Sequence, residues 1–315
     1  MRVVQQIIAV TALNLRNLPQ RVASSVVAVI GVAAVVLVFA AVLSMAKGFE
    51  RTMVSAGSDD TAIIMRSGST SELNSGLSNE QTLIVSEAPG VLKDGDTAIM
   101  SAELYVVVDV KKKSSNTDAN VPFRGIQAGA FDVRKDVELA DGRMFEPGKN
   151  EIIVGRSAQQ EFVGLETGST IRFGQSDWDI VGTFEAGGSV SESELWTDVR
   201  VLQGAYRRGN SFQSVRVKLQ SEGSLEVLRT ALEDDPRINA DVMTEKEYYS
   251  GQAEGLTRFI KLVGYPLTIL MAIGAVFGAL NSMYSSVSVR GKEIATLRAL
   301  GFGPISVLVS TMVES

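Results

Sequence analysis

The sequence contains no cysteine and no histidine among its 315 residues. The absence of cysteine excludes disulfides, thiolate nucleophiles and Cys-based zinc sites, and the absence of histidine excludes imidazole bases and ligands. Aromatic residues make up only 6% of the chain, and no stretch combines basic with aromatic residues as nucleic-acid-binding surfaces do. We therefore predict no catalytic residue, no cofactor, no metal site and no nucleic-acid partner.

A phosphate-binding loop is lacking as well. The segment Gly142–Lys149 superficially resembles one, but five residues separate Gly142 from Gly148, and Asn150 stands where the motif needs Ser or Thr. The chain is therefore not expected to hydrolyse ATP. A Ser/Lys hydrolase would have the residue types it needs, but no recognisable motif marks a nucleophile.

What the sequence does contain is two long uncharged runs. The first, Val22–Ala46, has 25 residues, and as a helix it reaches about 37 Å, enough to cross a hydrocarbon layer of ~30 Å. The second, Leu262–Val289, is most apolar up to Tyr284. We predict transmembrane helices over residues 22–46 and 262–284. The alternative for the first run is a cleaved signal peptide, but the run is longer than a signal core and follows a long leader.

Small residues mark the second run. Gly274 and Gly278 have the GxxxG spacing that lets another helix approach closely, so we predict helix packing there. Pro266 is expected in the first turns of this span, where a membrane helix tolerates it.

Charge predicts the orientation of the two spans. Residues 1–21 carry three arginines and no acid, and residues 285–303 carry three basic side chains and one acid. Residues 47–261 carry 24 basic and 34 acidic side chains. Because positive flanks stay in the cytoplasm, residues 1–21 and residues 285–303 are both expected there, and residues 47–261 are expected outside. Residues 1–21 are expected to form an amphipathic helix on the inner membrane surface, the alternative being an unstructured basic leader.

The pattern of residues 47–261 predicts an α/β subdomain, residues 47–110 and 205–261, split by a β-rich insertion, residues 111–204. Lys111 to Asn120 is interpreted as a mobile polar loop. Helices are expected after capping boxes at Ser78 and Thr244 and after a cap at Ser224. The predicted strands are Thr61–Met65, Ile99–Val110, Glu151–Gly155, Ser169–Gly174, Trp178–Phe184, Ser214–Leu219 and Ile238–Met243.

Several acidic pairs lie in this region, but none has the spacing of metal ligands. We interpret them as solvated surface acids, and we interpret Trp178 and Trp196 as packing residues. The acidic pairs are Asp59 with Asp60, Glu192 with Glu194, and Asp234 with Asp235.

The segment Asn281–Gly303 is a small basic island after the second apolar run. Within it, Val289–Leu300 predicts a short amphipathic helix with Ile294, Leu297 and Leu300 along one side and Gly301 as its C-cap. A helix this short is marginal alone, so it is expected to need a partner surface.

Four motifs together resemble the permease subunit of an ABC transporter of the MacB/FtsX superfamily. The resemblance implies a membrane α-helical protein with an external α+β domain, in which two transmembrane helices flank a periplasmic MacB-like core. The motifs are LNLRNLPQRVASSVVAVIGVAAVVLV, LADGRMFEPGKNEIIVG, GLETGSTIRFG with WDIVGTF, and AIGAVFGALNSMYSSVSVRGKEIATLRALGF.

The same resemblance implies partners and a site. The expected partners are a separate ABC ATPase subunit, a second permease subunit in a homo- or heterodimer, a periplasmic adaptor and membrane lipid, in the bacterial inner membrane. ATP hydrolysis by the ATPase would move the external domain through the two spans, a process called mechanotransmission. The residues assigned to the ATPase contact are Arg290, Lys292, Glu293, Ile294, Leu297, Arg298 and Leu300.

One departure from the family pattern concerns the number of spans. Members have four, whereas here residues 304–315 are expected to be only the start of a third, as in a fragment or a truncated product. Two other functions stay open from the sequence. One is an FtsX-like membrane regulator or sensor of an external partner such as a cell-wall hydrolase, and the other is an anchored external enzyme.

Overall fold

Residues 22–55, 57–221, 223–289, 291–305 and 309 are described by the structure, a computed structural model. The chain divides into two units, one of residues 48–255 and one of residues 1–47 with 256–315. The amphipathic helix predicted for residues 1–21 and most of the predicted third span lie outside the described residues.

The helices are, in chain order, α1 (Val22–Ser55), α2 (Asn79–Glu87), α3 (Ala130–Val133), α4 (Arg156–Glu161), α5 (Val199–Ala205), α6 (Ser224–Glu233), α7 (Glu245–Val289) and α8 (Gly291–Ala299). The strands are β1 (Thr61–Arg66), β2 (Lys93–Asp94), β3 (Thr97–Ala98), β4 (Met100–Lys111), β5 (Asp118–Ile126), β6 (Glu138–Gly142), β7 (Glu151–Gly155), β8 (Thr170–Phe173), β9 (Ser176–Glu185), β10 (Leu195–Asp198), β11 (Ser214–Lys218) and β12 (Ala240–Thr244).

One mixed sheet of ten strands organises residues 48–255, in the order β12-β1-β11-β4-β5-β10-β7-β9-β6 with β8 on β9. The pairs β5/β10 and β7/β9 are parallel, and the other pairs are antiparallel. Strand β4 pairs with β11 through its first residues and with β5 through Leu104–Lys111. This long strand therefore joins the α/β part of the sheet to the β-rich part.

Alternation along β4 separates two faces of the sheet. Ala102 and Leu104 point into a large apolar cluster, which also contains Val85 of α2, Leu202 of α5 and Leu228 of α6. We call this side the apolar face. The intervening β4 residues carry polar side chains to the opposite side, which we call the ionic face; they are Ser101, Glu103 and Tyr105.

Both predicted capping boxes are confirmed. The Ser78 hydroxyl accepts the Gln81 N–H at 3.3 Å, and the Gln81 side chain accepts the Ser78 N–H at 2.9 Å. Thr244 and Glu247 form the same reciprocal pair at 3.0 Å in each direction. These caps begin α2 and α7, since each satisfies backbone N–H groups that the first helical turn leaves without partners.

The expected cap at Ser224 is wrong. Gly223 occupies the cap position of α6 without a side-chain hydrogen bond, and Ser224 is the first residue of the helix. Its hydroxyl instead accepts the N–H of Ser221 at 3.1 Å. The hydroxyl closes the preceding turn, a competing local hydrogen bond that serine readily makes.

The loop expected from Lys111 to Asn120 is also wrong, because most of it belongs to a β-hairpin. Strand β4 runs to Lys111 and β5 starts at Asp118, and the N–H of Lys112 donates to the Thr117 carbonyl at 3.0 Å. The three consecutive lysines each have an acidic partner, which the sequence pattern did not reveal. The ion pairs are Lys111–Asp118, Lys112–Glu161 and Lys113–Glu166.

The two apolar runs both lie in helices longer than predicted. Helix α1 has 34 residues and α7 has 45. By length and composition each has a segment that could cross a membrane, with mean hydropathies of 2.8 and 1.9. Pro266 lies well inside α7 and not in its first turns, because the helix already begins at Glu245.

Helices α1 and α7 approach each other at a glycine that the sequence did not single out. A Cβ on Gly264 would lie 2.6 Å from Cγ1 of Val42, so the contact there depends on the missing side chain. Nothing described lies within 4 Å of such a Cβ at Gly274 or Gly278. Their role in helix packing stays a prediction.

Candidate functional site

Seven charged side chains are buried together on the ionic face of the sheet, each with no more than 7% of its side chain exposed. Three are arginines and four are glutamates, and we call the set the ionic cluster. Its members are Glu72, Glu103, Arg124, Arg134, Glu194, Arg216 and Glu245.

Distant parts of the chain bring these residues together. Strands β4, β5 and β11 supply Glu103, Arg124 and Arg216. Glu72 belongs to a single 3-10 turn after β1, and Glu245 is the first residue of α7. The remaining two members flank short elements: Arg134 follows α3, and Glu194 precedes β10.

Arg124 lies at the centre of the ionic cluster. Its guanidinium donates to both carboxylate oxygens of Glu194, at 2.7 and 2.8 Å, and to both oxygens of Glu72, at 2.7 and 3.0 Å. It also donates to Glu103 at 2.9 Å, and its Cζ lies 4.7 Å from the ring centroid of Tyr105. Paired contacts of this kind fix the direction of both partners as well as their distance.

Glu103 connects the other two arginines. Arg134 donates to both of its oxygens, at 2.7 and 2.9 Å, and Arg216 donates to one at 2.5 Å. Arg216 also donates to Glu72 at 2.9 Å and through Nε to Glu245 at 3.0 Å. The first residue of α7 is thereby joined to the central strands of the sheet.

Glu72 and Glu103 are charged at neutral pH, because the opposite charges beside them outweigh the cost of burial. Burial alone would raise the pKa of Glu103, but Arg134, Arg216 and Arg124 lower it to about 2. Burial likewise opposes ionisation of Glu72, yet Arg124 and Arg216 hold its pKa well below the usual value. The carboxylates in turn raise the pKa of both of these arginines well above normal.

The first turns of α7 make further contacts beside the ionic cluster. The Tyr248 hydroxyl accepts the backbone N–H of Glu72 at 3.3 Å. Both tyrosines of this turn pack on β1, and Met53 near the end of α1 packs against the same group. We call this apolar group the helix-root cluster; it consists of Ile63, Met65, Tyr248 and Tyr249, with Met53, Val190 and Met243 against it.

The segment that follows α1 is held against the same turn of α7. The N–H of Lys246 donates to the Ser58 carbonyl at 3.3 Å, and its ammonium pairs with Asp59 at 2.6 Å. A Cβ on Gly57 would lie only 2.5 Å from the Cα of Lys246. The ends of both long helices within residues 48–255 therefore meet at one place.

The interpretation of Glu192 and Glu194 as solvated acids is wrong. Their exposed fractions are only 7% and 6%. Glu194 pairs with Arg124, and Glu192 accepts the N–H groups of Ala186 and Gly188, each at 2.8 Å. The sequence did not show this because the partners of Glu194 lie on other strands, whereas the two tryptophans are buried at 0% exposure as predicted.

The residues predicted to contact an ATPase lie in and around α8. The cap at Gly301 is confirmed: it has φ +90°, and the N–H groups of Gly301 and Phe302 donate to the carbonyls of Arg298 and Leu297. Leu300 is 71% exposed, Arg298 is exposed and Leu297 is partly buried. Arg290 and the side chains of Lys292, Glu293 and Ile294 lie outside what the structure describes.

Comparison with known proteins places residues 25–235, more than half of the chain, in the family of the MacB-like periplasmic core domain. Two macrolide export ATP-binding/permease proteins MacB, from Neisseria meningitidis serogroups A and B, are each 22% identical over 244 residues. The match covers 70% of this chain and 37% of either relative, so the chain spans little more than a third of their length.

Comparison with solved structures finds matches that include two external domains of transporters. The extracellular domain of the noncanonic ABC-type transporter YknZ from Gram-positive bacteria is 18% identical, with a TM-score of 0.43, and the match covers 58% of this chain and 99% of that one. The periplasmic region of MacB from Actinobacillus actinomycetemcomitans is 14% identical, with a TM-score of 0.45 and coverages of 62% and 92%. On the family match, this chain belongs to the MacB-like periplasmic core domain family.

Proposed function

We propose that this chain is the permease part of an ABC transporter, in which its two long apolar helices cross the inner membrane and carry movement to the external domain. ATP would be hydrolysed by a separate subunit that binds α8, and the transported substrate would be exported. This is mechanotransmission, in which a packed element with more than one arrangement passes a change from one site to another.

The observation that carries the proposal is the continuity of α7. This helix of 45 residues begins at Glu245 inside the ionic cluster and continues without a break through the apolar residues from Leu262 onwards. After it comes the short helix α8, with an exposed Arg298 in its last turn, an exposed Leu300 directly after its end and a well-formed C-cap. A continuous helix between a charged root and a short amphipathic helix supports a role in transmission.

Capture of the ATPase tests the proposed contact. The tagged chain should be purified from membranes of its host, and co-purifying proteins with a phosphate-binding loop identified by mass spectrometry. Glu293→Lys and Leu297→Asp should abolish the capture, because they reverse or bury a charge in the proposed contact. The matched controls, Glu161→Lys and Leu83→Asp, change exposed residues of the external domain and should leave capture intact.

Two outcomes would contradict the proposal: capture that survives both α8 variants, or no ATPase captured by the unaltered chain. If the unaltered chain instead captures a cell-wall hydrolase without export activity in its host, the alternative of an FtsX-like regulator would be favoured.

Orientation is testable because the chain has no cysteine of its own. Single Ser114→Cys and Ser288→Cys variants place one thiol in the external hairpin and one near the end of α7. In intact cells a membrane-impermeant maleimide should label the first and not the second, and both after lysis. Labelling of Ser288→Cys in intact cells would overturn the proposed topology.

A further inference from the structure

We infer that the ionic cluster is a joint that holds the first turn of α7 in one orientation on the sheet, with Glu245 and Tyr248 as its positioning residues. The inference rests on the proposed function, since a fixed joint is what lets the external domain follow a helix that moves.

The buried charged side chains of the ionic cluster lie on one face of the sheet only. On the apolar face, the sheet packs against α2, α5 and α6 through apolar side chains. On the ionic face, where α7 begins, the chain buries four carboxylates and three guanidiniums. Buried ion pairs are weak contributors to stability compared with apolar packing, so their concentration on the face of the sheet where α7 begins calls for a reason other than stability.

Directionality supplies that reason. Apolar packing tolerates small shifts and rotations of a helix, whereas a paired guanidinium–carboxylate contact weakens steeply with angle and distance. Arg216 bonds to Glu103, Glu72 and Glu245 at once. A rotation of the α7 root would therefore break the hydrogen bond between Glu245 and Arg216, and no water could replace it at these buried charges.

The surroundings of the root add to this constraint. The Tyr248 hydroxyl accepts the N–H of Glu72, a member of the ionic cluster, so the second contact of α7 lies one helical turn from the first. On the other side, the close approach of Gly57 to Lys246 leaves no space for the turn to move. The root is thus held by a charged contact, by a hydroxyl, by a close backbone approach and by the apolar packing of the helix-root cluster.

The ionic cluster also contains its own control. Glu194 is as buried as Glu245, and it accepts bonds from Arg124 and from the Trp196 indole at 2.7 Å, but not from any part of α7. Replacing either carboxylate by an amide removes one buried charge and keeps the side-chain shape. Only Glu245→Gln removes the charge from a contact that α7 makes, which weakens the bond that Arg216 Nε donates to it.

The test measures the orientation of the root in the full chain. Spin labels at Thr230→Cys on α6 and Glu254→Cys on α7, both exposed, should give one narrow distance distribution in membranes. Glu245→Gln and Tyr248→Phe should broaden it. Glu194→Gln should not, although it should lower the unfolding temperature at least as much as Glu245→Gln does, because Glu194 accepts three hydrogen bonds and Glu245 accepts one. Tyr248→Phe keeps the test decisive should Glu245→Gln fail to fold.

Three results would overturn this inference. They are equal broadening of the distance distribution in all three variants, no broadening in either α7 variant, and a broad distribution in the unaltered chain. Addition of ATP to the chain with its captured ATPase separates this inference from the proposed function. If the unaltered chain shows no nucleotide-dependent change while the variants still differ without nucleotide, the proposed function fails and the joint stands. If nucleotide moves the root of the Glu245→Gln chain as it moves the unaltered one, the joint fails and the proposed function stands.

Discussion

The two faces of one sheet are held in opposite ways. Neighbouring residues of β4 show the contrast: Leu104 points into the apolar cluster, and Glu103 points into the ionic cluster, both at 0% exposure. The apolar face derives its stability mainly from the apolar area removed from water, an effect that has no preferred direction. The ionic face depends on partners, so that removing one member leaves the others buried without compensation. The two faces are therefore expected to respond differently to substitution.

Removal of Glu103 should have the largest effect. Glu103→Ala leaves Arg134, Arg216 and Arg124 with an uncompensated buried charge, and breaking a buried ion pair costs about 3–5 kcal/mol. Urea unfolding of the full chain in detergent, followed by tryptophan fluorescence, measures this loss, because both tryptophans lie in the external unit. Glu138→Ala, an exposed acid, serves as the control. A loss below about 1 kcal/mol would show that the ionic face is not the sensitive one.

Leu104→Ala should destabilise by about 2–5 kcal/mol, from lost burial and the cavity left behind. Comparison with Glu103→Ala therefore tests whether two adjacent residues on opposite faces contribute similarly to the free energy of unfolding. The faces should differ in recovery: a restored apolar side chain of similar size, as in Leu104→Met, should cost less than about 1.5 kcal/mol, whereas Glu103→Met should remain severely destabilising. If methionine cost the same stability at both positions, the two faces of the sheet would not differ in the way described.

Acidification should affect the ionic face alone. The pKa of Glu103 falls from its ordinary 4.5 in the unfolded chain to about 2 in the folded one. Its contribution of about 3 kcal/mol is present above pH 4.5 and is lost as the pH falls towards 2. In single-tryptophan variants, Trp196 beside Arg134 should report the change before Trp178, which lies in the apolar cluster. Simultaneous changes in the two probes would contradict the separation of the faces.

Removal of an exposed ion pair should have the smallest effect on the free energy of unfolding. Lys111 and Asp118 are paired at 2.8 Å, but their side chains are 55% and 64% exposed. Lys111→Ala should therefore change the free energy of unfolding by less than about 1 kcal/mol, and the small change should shrink further at high salt. A loss as large as that of Glu103→Ala would mean that exposure does not decide the value of an ion pair here.

Local signals predicted much of the fold. The reciprocal pairs at Ser78 with Gln81 and at Thr244 with Glu247 lie within one helical turn, so their residue types alone indicate the helix starts. The glycine at 301 could be assigned as a cap for the same reason. Alternation predicted the main strands and motifs predicted the family, both of which are confirmed.

The ionic cluster was not predictable by the same means. When polar residues alternate with apolar ones along a strand, as Ser101, Glu103 and Tyr105 do in β4, the polar side usually faces water. The one available signal was that Arg124 and Arg216 each stand between apolar strand residues, which does not distinguish a wet face from a covered one. The prediction of an exposed Glu194 was wrong for this reason, since its partner Arg124 lies on another strand. The prediction of a cap at Ser224 was wrong because its hydroxyl bonds to the preceding turn, and the sequence does not show which local hydrogen bond a serine makes.

The sequence by itself determined the periodicities, the caps, the uncharged runs and the family. Only the tertiary structure decided which polar face is buried, because the partners there come from distant parts of the chain: Arg216 bonds to Glu72, 144 residues away, and to Glu103, 113 residues away. Periodicity records which way a side chain points from its own strand. What covers that side chain is settled only when a helix that begins much later in the chain packs onto the same sheet.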